Sequence, residues 1–201
     1  LEVGKNEDGE LYNARIKGKV KSDYINSTNH VAVGDEVEVD KEENQEAYVV
    51  INTIQPRRNY ITRQSPHNKH QHHIIASNLD QSILFATLKD PKTSQGFIDR
   101  FLVACEAYHV PAIIVFNKSD LYKKKELEKL DELTSTYEKN GYQVLSMSLE
   151  KNEGVNEVKA LLKNKTTLLS GHSGVGKSSF INNYEEVFQF KNLCLSFSVI
   201  I

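Results

Sequence analysis

Two kinds of hydrophobic pattern divide the chain. Up to about residue 62, apolar and polar positions alternate in short runs. Leu11-Tyr12-Asn13-Ala14-Arg15-Ile16 is one, residues 31–39 are a second, and residues 47–54 form a third that stops ahead of Pro56. A period of two predicts half-buried strands, and Asn6-Glu7-Asp8-Gly9 predicts a hairpin turn before the first of these runs. From residue 74 the period changes. Continuous apolar runs at 82–88, 112–116, 143–147 and 166–170 alternate with helical patterns at 96–109, 124–139 and 152–163. Phe97, Phe101, Ala104 and Cys105 share one helix face by spacing, and Leu127, Leu130 and Leu133 are expected to face the core from another. Short buried runs separated by helices predict an α/β domain with a parallel sheet. Residues 63–73 are polar and include Pro66, which predicts a linker. The division is therefore a small all-β domain at 1–62, a linker at 63–73 and an α/β domain at 74–201.

Chemistry concentrates at two strand ends. Gly171-His172-Ser173-Gly174-Val175-Gly176-Lys177-Ser178 fits G-x-x-x-x-G-K-[ST] and lies between the apolar run 166–170 and a helical start at Ser178-Ser179-Phe180. A strand, a glycine-rich turn and a helix N-terminus together make a phosphate cradle, because backbone N–H groups converge inside the turn. Lys177 is expected to reach the terminal phosphates and Ser178 to ligate Mg²⁺; these two are the candidate catalytic groups. The second motif is Asn117-Lys118-Ser119-Asp120, directly after Ala112-Ile113-Ile114-Val115-Phe116. It is the N-K-x-D pattern with which GTPases read guanine. One carboxylate at Asp120 can accept from both N1–H and N2–H₂ of guanine, a donor pair that adenine lacks. Asn117 would hold the loop and face the other polar edge of the base, and the Lys118 stem would cover the ring. A P-loop kinase or ATPase leaves Asn117 and Asp120 unexplained.

The motifs stand in reversed order, base-reading before phosphate-binding. That order resembles the circularly permuted GTPases. Phe97-Ile98-Asp99-Arg100-Phe101-Leu102-Val103, His73-Ile74-Ile75-Ala76-Ser77-Asn78-Leu79-Asp80-Gln81 and the wording of 171–178 resemble the RsgA/YjeQ family from near residue 1 to about Tyr184. The resemblance implies an all-β OB-fold barrel followed by a circularly permuted α/β P-loop GTPase domain. It also implies GTP/GDP and Mg²⁺ as ligands, and the small ribosomal subunit with its rRNA as the partner of a monomer. In the family, GTP hydrolysis is coupled to release from the maturing particle. It further implies that Ser148, at the place where GTPases often carry Ser-Ala-Lys, lies beside the base. The candidate nucleotide-binding set is then Asn117, Lys118, Asp120, Ser148 and Gly171, His172, Ser173, Gly174, Val175, Gly176, Lys177, Ser178 and Ser179, with Ser178 as the Mg²⁺ ligand.

Composition adjusts this picture. The 201 residues are 39% apolar and 26% charged, with a formal net charge of −2. No run is long enough to predict a membrane span and no secretory signal opens the chain, so a cytoplasmic protein is expected. Cys105 and Cys194 form no C-x-x-C pair, and the family's C-terminal Cys/His zinc module is not in this sequence. His67, His70, His72 and His73 have irregular spacing without a nearby carboxylate or thiol, and predict a solvated segment in preference to a metal site. Residues 1–62 carry eight basic against twelve acidic side chains, so RNA binding there rests on the resemblance and on a local patch from Arg15, Lys17, Lys19 and Lys21.

Two switch elements are also missing. No Thr follows Thr167, and no Asp has a Gly three positions later. With Leu at position 1 and Met147 as the only Met, the expectation is a truncated member, its P-loop strand left at a sheet edge and its hydrolysis weak or absent. Leu193, Leu195, Phe197, Val199 and Ile201 alternate with their neighbours and offer either a covering strand or a frayed tail. The rival expectations are an RNA-binding barrel without nucleotide turnover and a defunct fragment.

Overall fold

The computed structural model describes residues 2–5, 11–16, 30–41, 48–64, 72–185 and 193–195. Four strands come first: β1 (Glu2–Lys5), β2 (Leu11–Ile16), β3 (Val37–Lys41) and β4 (Tyr48–Ile54), in spatial order β1-β2-β4-β3. β1 and β2 are antiparallel, with Lys5 opposite Leu11, as the expected hairpin requires; its turn lies outside the described residues. β2 and β4 run parallel, and β3 returns antiparallel to β4. Alternation places Ala14, Val49 and Ile51 in a small core, with Tyr12, Val31 and Val37 against it.

The alternation at 31–39 is only partly strand. Residues 30–36 leave the sheet as a loop, because Asp35 turns into a buried ion pair. Its carboxylate takes Arg57 Nε and Nη2, each at 2.6 Å, and also accepts from Ser77 Oγ at 2.6 Å and from Ala32 N at 2.8 Å. The β1–β4 sheet is thereby tied to the strands that follow.

The expected linker begins and ends in strand. β5 (Tyr60–Gln64) pairs antiparallel with β6 (His72–Ser77), so residues 63, 64, 72 and 73 belong to a two-stranded ribbon. His72 and His73 are exposed on it; His67 and His70 lie outside the described residues.

The remaining sheet has the order β11-β10-β7-β8-β9, all parallel. Its strands are β7 (Gln81–Ala86), β8 (Ala112–Phe116), β9 (Gln143–Ser146), β10 (Thr167–Ser170) and β11 (Leu193–Leu195). Helices α1 (Gln95–Ala107) and α2 (Lys124–Lys139) supply the core on one face, and α3 (Val155–Leu162) and α4 (Lys177–Glu185) that on the other. The chain steps outward from β7 to β8 and β9, then crosses back to β10 on the far side of β7. Right-handed crossovers put helices on opposite faces when the direction of stepping reverses. The reversal opens a crevice at the carboxyl ends of β7 and β10, where ligands bind in open α/β sheets.

β7 is buried at all six positions, as a central strand covered on both faces must be. One expected core position differs. Leu127 is exposed, being roughly a quarter-turn from the stripe through Leu130, Leu133 and Tyr137 at 3.6 residues per turn. The P-loop strand is not left bare: Thr167, Leu168 and Leu169 pair with Leu193, Cys194 and Leu195. Residues 196–201 of the alternating tail lie outside the described residues. No helix among the described residues is long and apolar enough to cross a membrane.

Candidate functional site

Register brings the expected site residues to one edge. Ser170 lies opposite Leu84, Ala86 opposite Phe116, and Phe116 opposite Ser146, so the loops that follow β7, β8, β9 and β10 leave the sheet side by side. The 171–176 turn begins with Gly171 (φ +137°), where a Cβ would strike the Phe85 carbonyl of the neighbouring strand. It ends with Gly176 (φ +99°), where a Cβ would collide with the Asn117 side-chain amide. Both positions need glycine because another chain segment already occupies the space.

The same amide joins the two motifs. Asn117, 2% exposed, donates from Nδ2 to the Val175 carbonyl at 2.8 Å. Asn117 thus holds the 171–176 turn in place from a position 58 residues ahead of Val175.

Lys177 is 8% exposed and lies back across its own loop, donating to the Gly171 carbonyl at 2.6 Å and the His172 carbonyl at 2.9 Å. Burial lowers its pKa, a desolvation cost that a phosphate beside the ammonium would offset. Ser173, Gly174, Ser178 and Ser179 are exposed, Val175 is buried, and the His172 ring stacks on Phe97 of α1 at 3.9 Å between centroids. The Ser178 hydroxyl, at the first turn of α4, is a hard oxygen donor beside Lys177 and fits a Mg²⁺ ligand. Among the described residues, no group of three or more His, Cys, Asp or Glu side chains could hold a metal ion.

The 117–120 loop is equally well built. Lys118 adopts a left-handed conformation (φ 61°) and its ammonium donates to the Asp90 carbonyl at 2.6 Å. Asp120 Oδ1 accepts from Ser148 Oγ at 2.6 Å, and that hydroxyl accepts from Lys151 N at 3.1 Å. Ser148 is fully buried, and its backbone exchanges hydrogen bonds with Glu153 at 2.9 and 3.0 Å, closing the loop that carries it. Backbone bonds from Ser119 N to Met147 O and from Met147 N to Phe116 O join this loop to the base-reading one.

Three contributors were not legible as site residues in the sequence. The 87–94 loop, with a cis Asp90–Pro91 bond, lies against Gly174 through Pro91. Phe97, expected only as core, also supports His172. Tyr122 bonds to both the 87–94 loop and Asn117. The proline after β7 was the one local signal of an ordered loop. Asp99 accepts from Tyr137 OH at 2.8 Å and lies on the exposed side of α1.

Known proteins resemble this chain in sequence and in fold. The family model described as RsgA GTPase matches residues 54–193, nine residues past the point where the sequence resemblance ended. A small ribosomal subunit biogenesis GTPase RsgA of Cytophaga hutchinsonii is 51% identical over 178 residues, 89% of this chain and 58% of the relative. That of Christiangramia forsetii is 46% identical over 188 residues, 93% of this chain and 60% of the relative. Among solved structures, YjeQ from Thermotoga maritima superposes with a TM-score of 0.71 at 32% identity, covering 92% of this chain and 60% of that one. YloQ, described as a circularly permuted GTPase, gives a TM-score of 0.63 at 26% identity, with 90% and 58% covered. The chain spans about three-fifths of the length of these relatives. The chain belongs to the RsgA GTPase family.

Proposed function

We propose that this chain carries the guanine-nucleotide site of a small-subunit ribosome biogenesis GTPase, binding GDP and GTP with Mg²⁺. The hydrogen bond from Asn117 to Val175 carries the reading, because it makes one site of a base-reading loop and a phosphate loop far apart in sequence. Within it, Asp120 reads the guanine edge, the Lys118 stem covers the ring, and the backbone N–H groups of 171–176 with Lys177 receive the phosphates. Bound Mg²⁺, held by Ser178, would neutralise phosphate oxygens.

The β1–β4 sheet we read as an OB-fold, with residues 1–62 as its domain and 74–201 as the GTPase domain. Its hairpin, parallel β2–β4 pair and returning β3 are four strands in a pattern compatible with a partly open Greek-key barrel. The maturing small subunit and its rRNA are the proposed partners of a monomeric, cytoplasmic protein. Turnover by this chain is proposed to be weak or absent, since it has no Thr after the phosphate loop and no Asp-x-x-Gly.

Displacement of fluorescent GDP tests the nucleotide reading. Unlabelled GDP is expected to compete and ADP to do so at least about a hundredfold less well, because a site built to pair polar groups rejects a ligand that leaves them unpaired. Asp120→Ala should erase that preference, and Lys177→Ala should weaken both nucleotides. Equal competition by ADP, or no binding to cooperatively folded protein, would overturn the reading. Single-turnover hydrolysis above background, abolished by Lys177→Ala, would overturn the proposal of weak turnover.

A further inference from the structure

A third wall stands between the base-reading and phosphate loops, tied in at its tip by Lys118 and at its base by Tyr122. The 87–94 loop is closed on itself: Thr93 N donates to the Thr87 carbonyl at 2.7 Å, Thr87 N donates to Thr93 Oγ1 at 3.1 Å, and Thr87 Oγ1 donates to the Pro91 carbonyl. Its tip accepts the Lys118 ammonium through the Asp90 carbonyl, and its base meets Tyr122. The Tyr122 hydroxyl donates to the Asn117 carbonyl at 2.7 Å and accepts from Leu88 N at 3.0 Å, with the residue only 8% exposed. Tyr122 also closes the short 3₁₀ turn Ser119–Leu121 that presents Asp120, donating from its own N–H to the Ser119 carbonyl at 3.1 Å.

We propose that Tyr122 is a positioning residue for guanine recognition, its hydroxyl locking the Asn117-to-Asp120 loop onto the 87–94 loop. The proposal rests on the guanine-nucleotide reading above. A core tyrosine that merely fills space could be replaced by phenylalanine at little cost. Here the ring's one donor and one acceptor site both serve backbone groups of the two loops that would flank the base. Removing the hydroxyl leaves the Leu88 N–H and the Asn117 carbonyl without that partner in a buried setting. Asn117 would then keep its N–H bond to the Ala86 carbonyl and its amide bond to Val175, but lose the bond at its own carbonyl, the end that leads into Lys118 and Asp120. Burial, assisted by the nearby Asp120 charge and opposed by the Leu88 N–H, pushes the Tyr122 phenol up to about 12, so it remains a donor at neutral pH.

The test is Tyr122→Phe in the full chain, with Tyr142→Phe as a control; the Tyr142 hydroxyl bonds Glu106 on the exposed side of the molecule. Affinities for GDP and ADP are measured on protein well below its melting temperature. A positioning role predicts that Tyr122→Phe lowers the ratio of GDP to ADP affinity about tenfold, the effect of one or two lost hydrogen bonds to the base-reading loop. A purely structural role shifts the melting temperature but leaves the ratio at the wild-type value, and that result overturns the proposal. If the wild type itself fails to prefer GDP, the nucleotide reading falls and this proposal with it. Should Tyr122→Phe not fold, hydrogen exchange of the wild-type Leu88 amide decides: GDP is expected to slow it and ADP not. Exchange equally insensitive to both nucleotides overturns the proposal.

Discussion

The five-stranded parallel sheet and the four-stranded β1–β4 sheet are built on different terms. The parallel sheet is covered on both faces, with Phe85, Ile83, Val115 and Leu169 packed on one side and Leu84, Ala86, Ile114 and Leu168 on the other. The β1–β4 sheet has a described buried core of Ala14, Val49 and Ile51, and the loop ahead of β3 is joined to the following strands by the Asp35–Arg57 pair, the Ser77 and Asn78 bonds and the Val33–Ala76 bridge. The difference shows where a precise site can be placed. The loops proposed to hold the Asp120 carboxylate and the 171–176 turn in register leave strands whose both faces are fixed. The smaller sheet has no such requirement among its described residues and is held to its neighbour by polar contacts.

That comparison can be broken experimentally. Phe85→Ala removes a fully buried ring packed at a tilt against Phe180, 5.2 Å between centroids, and should cost about 3–5 kcal/mol in urea unfolding, with GDP binding lost in step. Ile51→Ala should cost about 2–5 kcal/mol by the same mechanism while leaving GDP affinity within about twofold. Equal loss of GDP binding in both variants would show that the two sheets act as one unit.

Next in size is Arg57→Ala. It strands the Asp35 carboxylate, whose side chain like that of Arg57 is 1% exposed, and should cost about 3 kcal/mol. Its expected signature is early exposure of the 30–36 amides to hydrogen exchange, with the amides of β7 unchanged.

The smallest effect concerns acid. The Thr166 N–H, and then Arg58, hold the Asp80 carboxyl below its ordinary value of 3.8. A carboxylate lowered in this way stabilises the fold above about pH 3.8, and the contribution is lost as pH falls through the lower folded value. The melting-temperature gap between wild type and Asp80→Asn should therefore close below pH 3.8; a gap constant down to pH 2 would sink the assignment.

Legibility in the sequence followed the same divide. Ala112–Phe116 and Lys124–Lys139 have the bounds expected of them, because a doubly buried strand and a strongly amphipathic helix each leave one unambiguous period. The run at 82–88 overshot its strand, since Thr87 and Leu88 are buried within a loop and burial alone does not make a strand. The helix expected from residue 152 starts at Val155, because Asn152 and Gly154 take positive φ in the turn that closes on Ser148. The two motifs were legible because phosphate and guanine chemistry demand particular residues at fixed offsets. Tyr122 was not: its partner Leu88 lies 34 positions earlier, and nothing local distinguishes a bridging hydroxyl from a core ring.

The bond from Asn117 to Val175 also has a consequence in time. Chains are synthesised from the N-terminus at about 5–20 residues per second. The partner carbonyl, 58 positions downstream, is therefore made roughly 3–12 s after the amide that will hold it. In the unpermuted order of motifs the phosphate loop is made first and the guanine-reading strand arrives to complete it. In this chain the 117–120 loop is made first, and the proposed nucleotide site stays incomplete until residues 171–178 have followed it.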